Sequence, residues 1–138
     1  MAVDERQELV ACVRAMYDAF NARDVGAALK YVHPDIELRP AGTAAVTGRA
    51  VYAGHEGIRE YFADVAQVWP EGLEVRPVDF RAVAGSVVAF GTVHGDDGSG
   101  PMQDDVVWVW RLRDGLVTSG QVFSTRGAAI KAARHGGG

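Results

Sequence analysis

The hydrophobic repeat of this chain changes once, at Trp69-Pro70. Before that step apolar residues recur at helical spacing, and after it they alternate or run in long β-rich segments. Residues 4–22 place Leu9, Val13, Met16, Tyr17 and Phe20 on one stripe of an amphipathic helix. Asp24 is positioned to cap a second, short helix running to Val32 and stopped by His33-Pro34. In "DIELRPAG" the apolar Ile36 and Leu38 alternate with Asp35, Glu37 and Arg39, which predicts a short strand with one charged face. A third helix turns Ile58, Tyr61, Phe62 and Val65 inward and ends at Trp69-Pro70.

Beyond it, strands are expected over 73–83, 86–94, 104–113 and 116–125, with Ala84-Gly85 and Asp114-Gly115 as hairpin turns. The segment GDDGSGP (95–101) reads as a mobile hairpin end, and it lacks the spacing and closing Glu of a calcium loop. RGAAIKAAR predicts a terminal helix, and Gly136–Gly138 a flexible tail. No repeat or linker divides the 138 residues, so 1–135 are expected to form one domain. The expected architecture is α+β: a strongly curved, largely antiparallel sheet wrapped around three N-terminal helices.

Composition narrows the function. A net charge of −4 with no Lys/Arg run argues against nucleic acid, and no stretch approaches the length of a membrane span. The N-terminus MAVDERQE is acidic and polar, unlike a signal peptide, and a cytoplasmic location is expected. The lone Cys12 excludes an internal disulfide, and four scattered histidines with no i, i+4 pair predict no metal site. "AGTAAVTG" (41–48) lacks the Lys and spacing of a phosphate loop. No cofactor is expected.

The element order, with "FNARDVGAALKYVHPDIEL", "YAGHEGIREYF" and "DGLVTSGQVFSTRGAAIKAA", resembles the SnoaL-like domains of the nuclear transport factor 2-like superfamily. The resemblance implies a cone-shaped fold, a flap at 41–48 over the cone's mouth and a homodimer formed through the sheet. It does not choose a function, because that superfamily holds isomerases, epoxide hydrolases, cyclases, dehydratases and binders. A ketosteroid-isomerase base would fall at Arg39, its tyrosine at Met16 and its second acid at Trp108. A limonene-epoxide-hydrolase carboxylate would fall at Gln121. Neither set of groups is present. A His–Asp pair of the kind SnoaL cyclases use could come from His94 and Asp104 or Asp105.

Alternation sets Asp104, Val106, Trp108 and Trp110 on one face of their strand and Val107 and Val109 on the other. The resemblance assigns the Trp face to the pocket, leaving the two valines for the dimer interface. It also turns Arg39 into the cone, where a guanidinium needs a partner: Glu37, Asp104 or an acidic ligand. The expectation is an apolar pocket lined by Tyr17, Arg39, Trp108, Trp110 and Gln121. It would take a ring-containing molecule with a carbonyl or carboxylate, with or without lyase, isomerase or cyclase chemistry. The competing expectation is a dimerisation or interaction module with a filled cone. Because Arg39, Met16, Trp108 and Gln121 occupy the acid–base positions, no isomerisation of Δ5-3-ketosteroids above background is expected in a spectrophotometric enone assay. Activity abolished by a single substitution would disprove this.

Overall fold

The computed structural model describes residues 5–40, 47–123 and 125–135. The chain begins with α1 (Glu5–Asn21) and α2 (Val25–Leu29), followed by β1 (Val32–Arg39), β2 (Tyr52–Ala53) and α3 (Gly54–Val68). Four long strands follow: β3 (Leu73–Val83), β4 (Ser86–Asp96), β5 (Pro101–Arg113) and β6 (Leu116–Phe123); α4 (Arg126–His135) closes the chain. The six strands form one open, curved sheet in the order β2-β1-β6-β5-β4-β3. Strands β3 to β6 are antiparallel throughout, while β1 joins β6 in parallel. The α+β architecture read from the sequence is the one observed. The expected flap (41–46 of it) and the tail 136–138 lie outside the described residues.

Local chemistry explains most boundaries. Asp24 caps α2, its carboxylate accepting the Ala27 N–H at 3.0 Å. Both strong hairpin turns have paired positive φ angles, 50° and 81° at Ala84-Gly85 and 54° and 78° at Asp114-Gly115, which match the strand twist. Two boundaries differ from expectation. α2 ends at Leu29 and β1 begins at Val32, so His33-Pro34 lies inside a strand. The β1–β6 register shifts between Val32 and Glu37, which lets Pro34 sit where no ladder donor is required. The β4–β5 hairpin is also longer, pairing out to Asp96 and Pro101, with the Asp96 carboxylate accepting Gly98 and Gly100 N–H groups.

The edge strand β3 is managed by Asn21, whose amide donates to the Val75 carbonyl (2.7 Å) and accepts the Val75 N–H (3.0 Å). That pair ties the end of α1 to β3 and removes two edge groups from aggregation. A register shift between Pro77 and Asp79 bulges the same strand. Gly91 on β4 faces this bulge: a Cβ there would strike the Arg76 and Pro77 backbone.

The core is split by the sheet. One apolar cluster joins α1 and α3 to the inner row of Val75, Val87, Ala89, Trp108, Trp110 and Val117. A second lies on the outer face, where Ala129 and Ala133 of α4 seal Val88, Phe90, Val107 and Val109. This corrects the expected dimer interface: Val109 is 1% exposed within a single chain because α4 already covers it. The valines therefore leave no open apolar stripe that a second copy must cover. Val109→Ala should cost about 1.5–3 kcal/mol, the worth of a fully buried valine side chain. In urea unfolding the loss should be the same at every protein concentration, because the contact lies within the chain. A loss that grows on dilution would restore the interface reading.

Candidate functional site

The cone's interior is an apolar chamber of about 60 Å³, walled by α1 (Met16, Tyr17, Phe20), α3 (Ile58, Tyr61, Phe62), β1 (Val32, Ile36, Leu38) and the β5 tryptophans. Trp108 and Trp110 project from alternate positions of β5 and stack, with centroids 4.8 Å apart and planes at 13°. The stack is possible because Gly120 lies opposite Trp110 on β6, and a Cβ there would run into the six-membered ring. Tyr17 meets Trp110 edge-on at 5.7 Å, and its hydroxyl accepts the indole N–H at 2.8 Å. No acceptor for the Tyr17 hydroxyl's own hydrogen is found among the described residues. Burial pushes the Tyr17 phenol well above its ordinary range, although the Trp110 hydrogen bond pulls the other way.

A wider mouth of about 370 Å³ shares Tyr61, Val75 and Trp108 with the chamber. Its other walls include Trp69, Leu73, Val93, Met102 and Val106, with Asp104 on the inward row of β5. Beside β2, the Tyr52 hydroxyl donates to Asp64 at 2.6 Å and lies 3.4 Å from the Thr47 hydroxyl, while Arg49 stacks over the Tyr52 ring and pairs with Glu60. Burial and the adjacent carboxylate raise the Tyr52 phenol as well.

Of the residues singled out from the sequence, Tyr17, Trp108 and Trp110 meet in the chamber, and Asp104 stands in its mouth. The remaining three are elsewhere. Arg39 is on the outer row of β1, 41% exposed and paired with Glu37 at 2.8 Å, because Ile36 and Leu38 occupy the inward positions. Gln121 is the register partner of Arg39 and of Val109, which puts it on the same outer row. His94 also faces outward, bonded to the Thr92 hydroxyl at 2.9 Å, and its register partner is Gln103. Asp104 pairs with Val93 on the opposite row, so the expected His94–Asp104 couple is split by the sheet. Tyr61, Trp69 and Gly120 were not anticipated as site residues. Tyr61 did carry a signal, since it shares the apolar stripe of α3 with Ile58 and Val65.

The raised Tyr17 phenol makes a pH prediction. A group that resists ionisation when folded contributes stability that is complete below its unfolded pKa of about 10 and is lost as pH rises above it. Urea unfolding should therefore show stability falling above about pH 10, and falling less steeply in Tyr17→Phe. Tyr52 and the Cys12 thiol, both raised by burial, would contribute to the remaining slope. Equal slopes in the two proteins would show that Tyr17 ionises freely.

The comparisons with known proteins bear on the fold and the family. No curated protein matches the chain. Among solved structures, TerC co-crystallised with polyporic acid is 28% identical, covering 90% of this chain and 96% of that one with a TM-score of 0.76. An NTF2-like protein of unknown function from Burkholderia pseudomallei is 21% identical over 90% and 95% of the two chains, with a TM-score of 0.76. An LEH-like epoxide hydrolase of M. tuberculosis is 17% identical over 96% and 89%, with a TM-score of 0.73. These last two likenesses concern the fold alone. The SnoaL-like domain model matches residues 13–120, from the middle of α1 to the Gly120 that clears space for Trp110, and the chain belongs to the SnoaL-like domain family.

Proposed function

We propose that the chain binds a small, ring-containing molecule in the cone. The ring lies against Trp108 and Trp110, and a carbonyl or hydroxyl oxygen accepts the Tyr17 hydroxyl. One observation carries this reading. The chamber wall is apolar apart from its tyrosine and tryptophan polar atoms, and among these the buried Tyr17 phenol accepts from Trp110 while its own hydrogen has no acceptor among the described residues. A buried donor gains more from a ligand oxygen than a solvated one does, because no water competes for it. The expected anchor, Arg39, is replaced by Tyr17, so the preferred head group inside the chamber is neutral rather than acidic.

Binding is favoured over turnover. Among the described residues the inner chamber is lined by no carboxylate, imidazole or amine that could move a proton. The mouth, at about 370 Å³ and unlike the 60 Å³ chamber behind it, is in the size range of ligand pockets, which supports this reading over a filled interaction module. TerC, co-crystallised with polyporic acid, adds support, since a cone of similar outline there accompanies a small molecule.

Quenching of tryptophan fluorescence tests the reading, using 4-acetylbiphenyl beside biphenyl. Tyr17→Phe should weaken the ketone by about 0.5–1.5 kcal/mol, the net worth of one hydrogen bond. Biphenyl should be affected less. If neither compound quenches, or if both weaken equally, Tyr17 is not the anchor.

A further inference from the structure

The charge of the mouth goes one step beyond that reading. Its lining includes three aromatic rings, Tyr61, Trp69 and Trp108, and one carboxylate on the inward row, Asp104, but no Lys, Arg or His among the described residues. Asp104 stands in the inward row of β5, across from Val93 on β4. Two residues along β4 the place is taken by Gly95, and the Trp69 ring fills the space a side chain would need: a Cβ at 95 would sit 2.9 Å from that ring and from Leu73. The carboxylate and the indole thus come from neighbouring positions of the same wall.

Four of the arginines are engaged in ion pairs elsewhere. Arg39, Arg49, Arg76 and Arg81 pair with Glu37, Glu60, Glu74 and Asp79 in turn, while Asp104 forms no ion pair among the described residues. The faces of aromatic rings carry negative charge density, which adds to the field of an unpaired carboxylate and attracts cations. An anionic head group would meet the like charge of Asp104 and no compensating cation among the described lining residues.

We propose that the mouth selects ligands bearing a cationic amine, held between the Asp104 carboxylate and the rings of Trp69, Tyr61 and Trp108. The inference rests on the cone being a ligand chamber and specifies the charge of what enters it. The ring system reaches inward to the tryptophan stack while the ammonium stays at the rim, partly hydrated, so its full charge need not be buried.

Calorimetric titration of the whole chain with 4-phenylbenzylamine, 4-phenylbenzyl alcohol and biphenyl-4-carboxylate at neutral pH and low salt tests the proposal. The amine should bind about tenfold tighter than the alcohol, the scale of one cation–π contact plus one exposed ion pair. The carboxylate should bind weakest. Asp104→Asn, checked for folding by circular dichroism, should bring the amine close to the alcohol. Trp69→Leu should narrow the gap in part, and salt at about 0.5 M should narrow it in the parent. If all three compounds bind alike, or if Asp104→Asn preserves the amine preference, the charge proposal fails and the chamber reading survives. If none of them binds, both fail.

Discussion

The middle of the sheet is buried on both faces, and that constraint allots nearly every other feature of the molecule. Helices α1 and α3 cover the inner row of β4 to β6, and α4 covers the outer row. A strand residue here does not choose between core and water but between two different cores. Trp108 and Trp110 go to one, Val107 and Val109 to the other. Where the strands run past the helices, around His94, Gln103, Asp104 and Asp105, polar residues become frequent. The mouth of the cone is therefore polar at its rim and apolar within.

Inside the cone, a single chain of dependencies holds the site. Gly120 leaves space for Trp110, Trp110 stacks on Trp108 and donates to Tyr17, and Tyr17 belongs to α1. The helix is held to the sheet a second time through Asn21 and Val75. Satisfying an indole N–H with the Tyr17 oxygen leaves that phenol's hydrogen without an acceptor among the described residues, which is the basis for proposing an oxygen acceptor on a ring.

Much of this was legible in the chain. The change of period at Trp69-Pro70 separates helices from strands, Asp24 marks a helix start, and Asp114-Gly115 marks a hairpin. The alternation of Ile36 and Leu38 with Glu37 and Arg39 already implied that Arg39 faces out, since two apolar residues on one row compete better for the interior than two charged ones. The family resemblance pointed the other way, and the local pattern prevailed. His94 shows the limit of alternation used alone. It shares a row with Val88 and Phe90, which looks like an interior row until α4 supplies a second apolar cover.

Sequence by itself determined the longer elements, which residues share a face, and the family, because hydrophobic period, caps and turn residues act over a few neighbouring positions. Tertiary structure decided which face became the cone. It set Gly120 against Trp110, brought Trp69 over Gly95, joined Trp110 to Tyr17 across 93 residues, and parted His94 from Asp104. Those relations depend on strand register and on where α4 docks. Neither is a property of any short segment: a shift of one residue in pairing exchanges the two faces, and only the packed helices make one register better than the other.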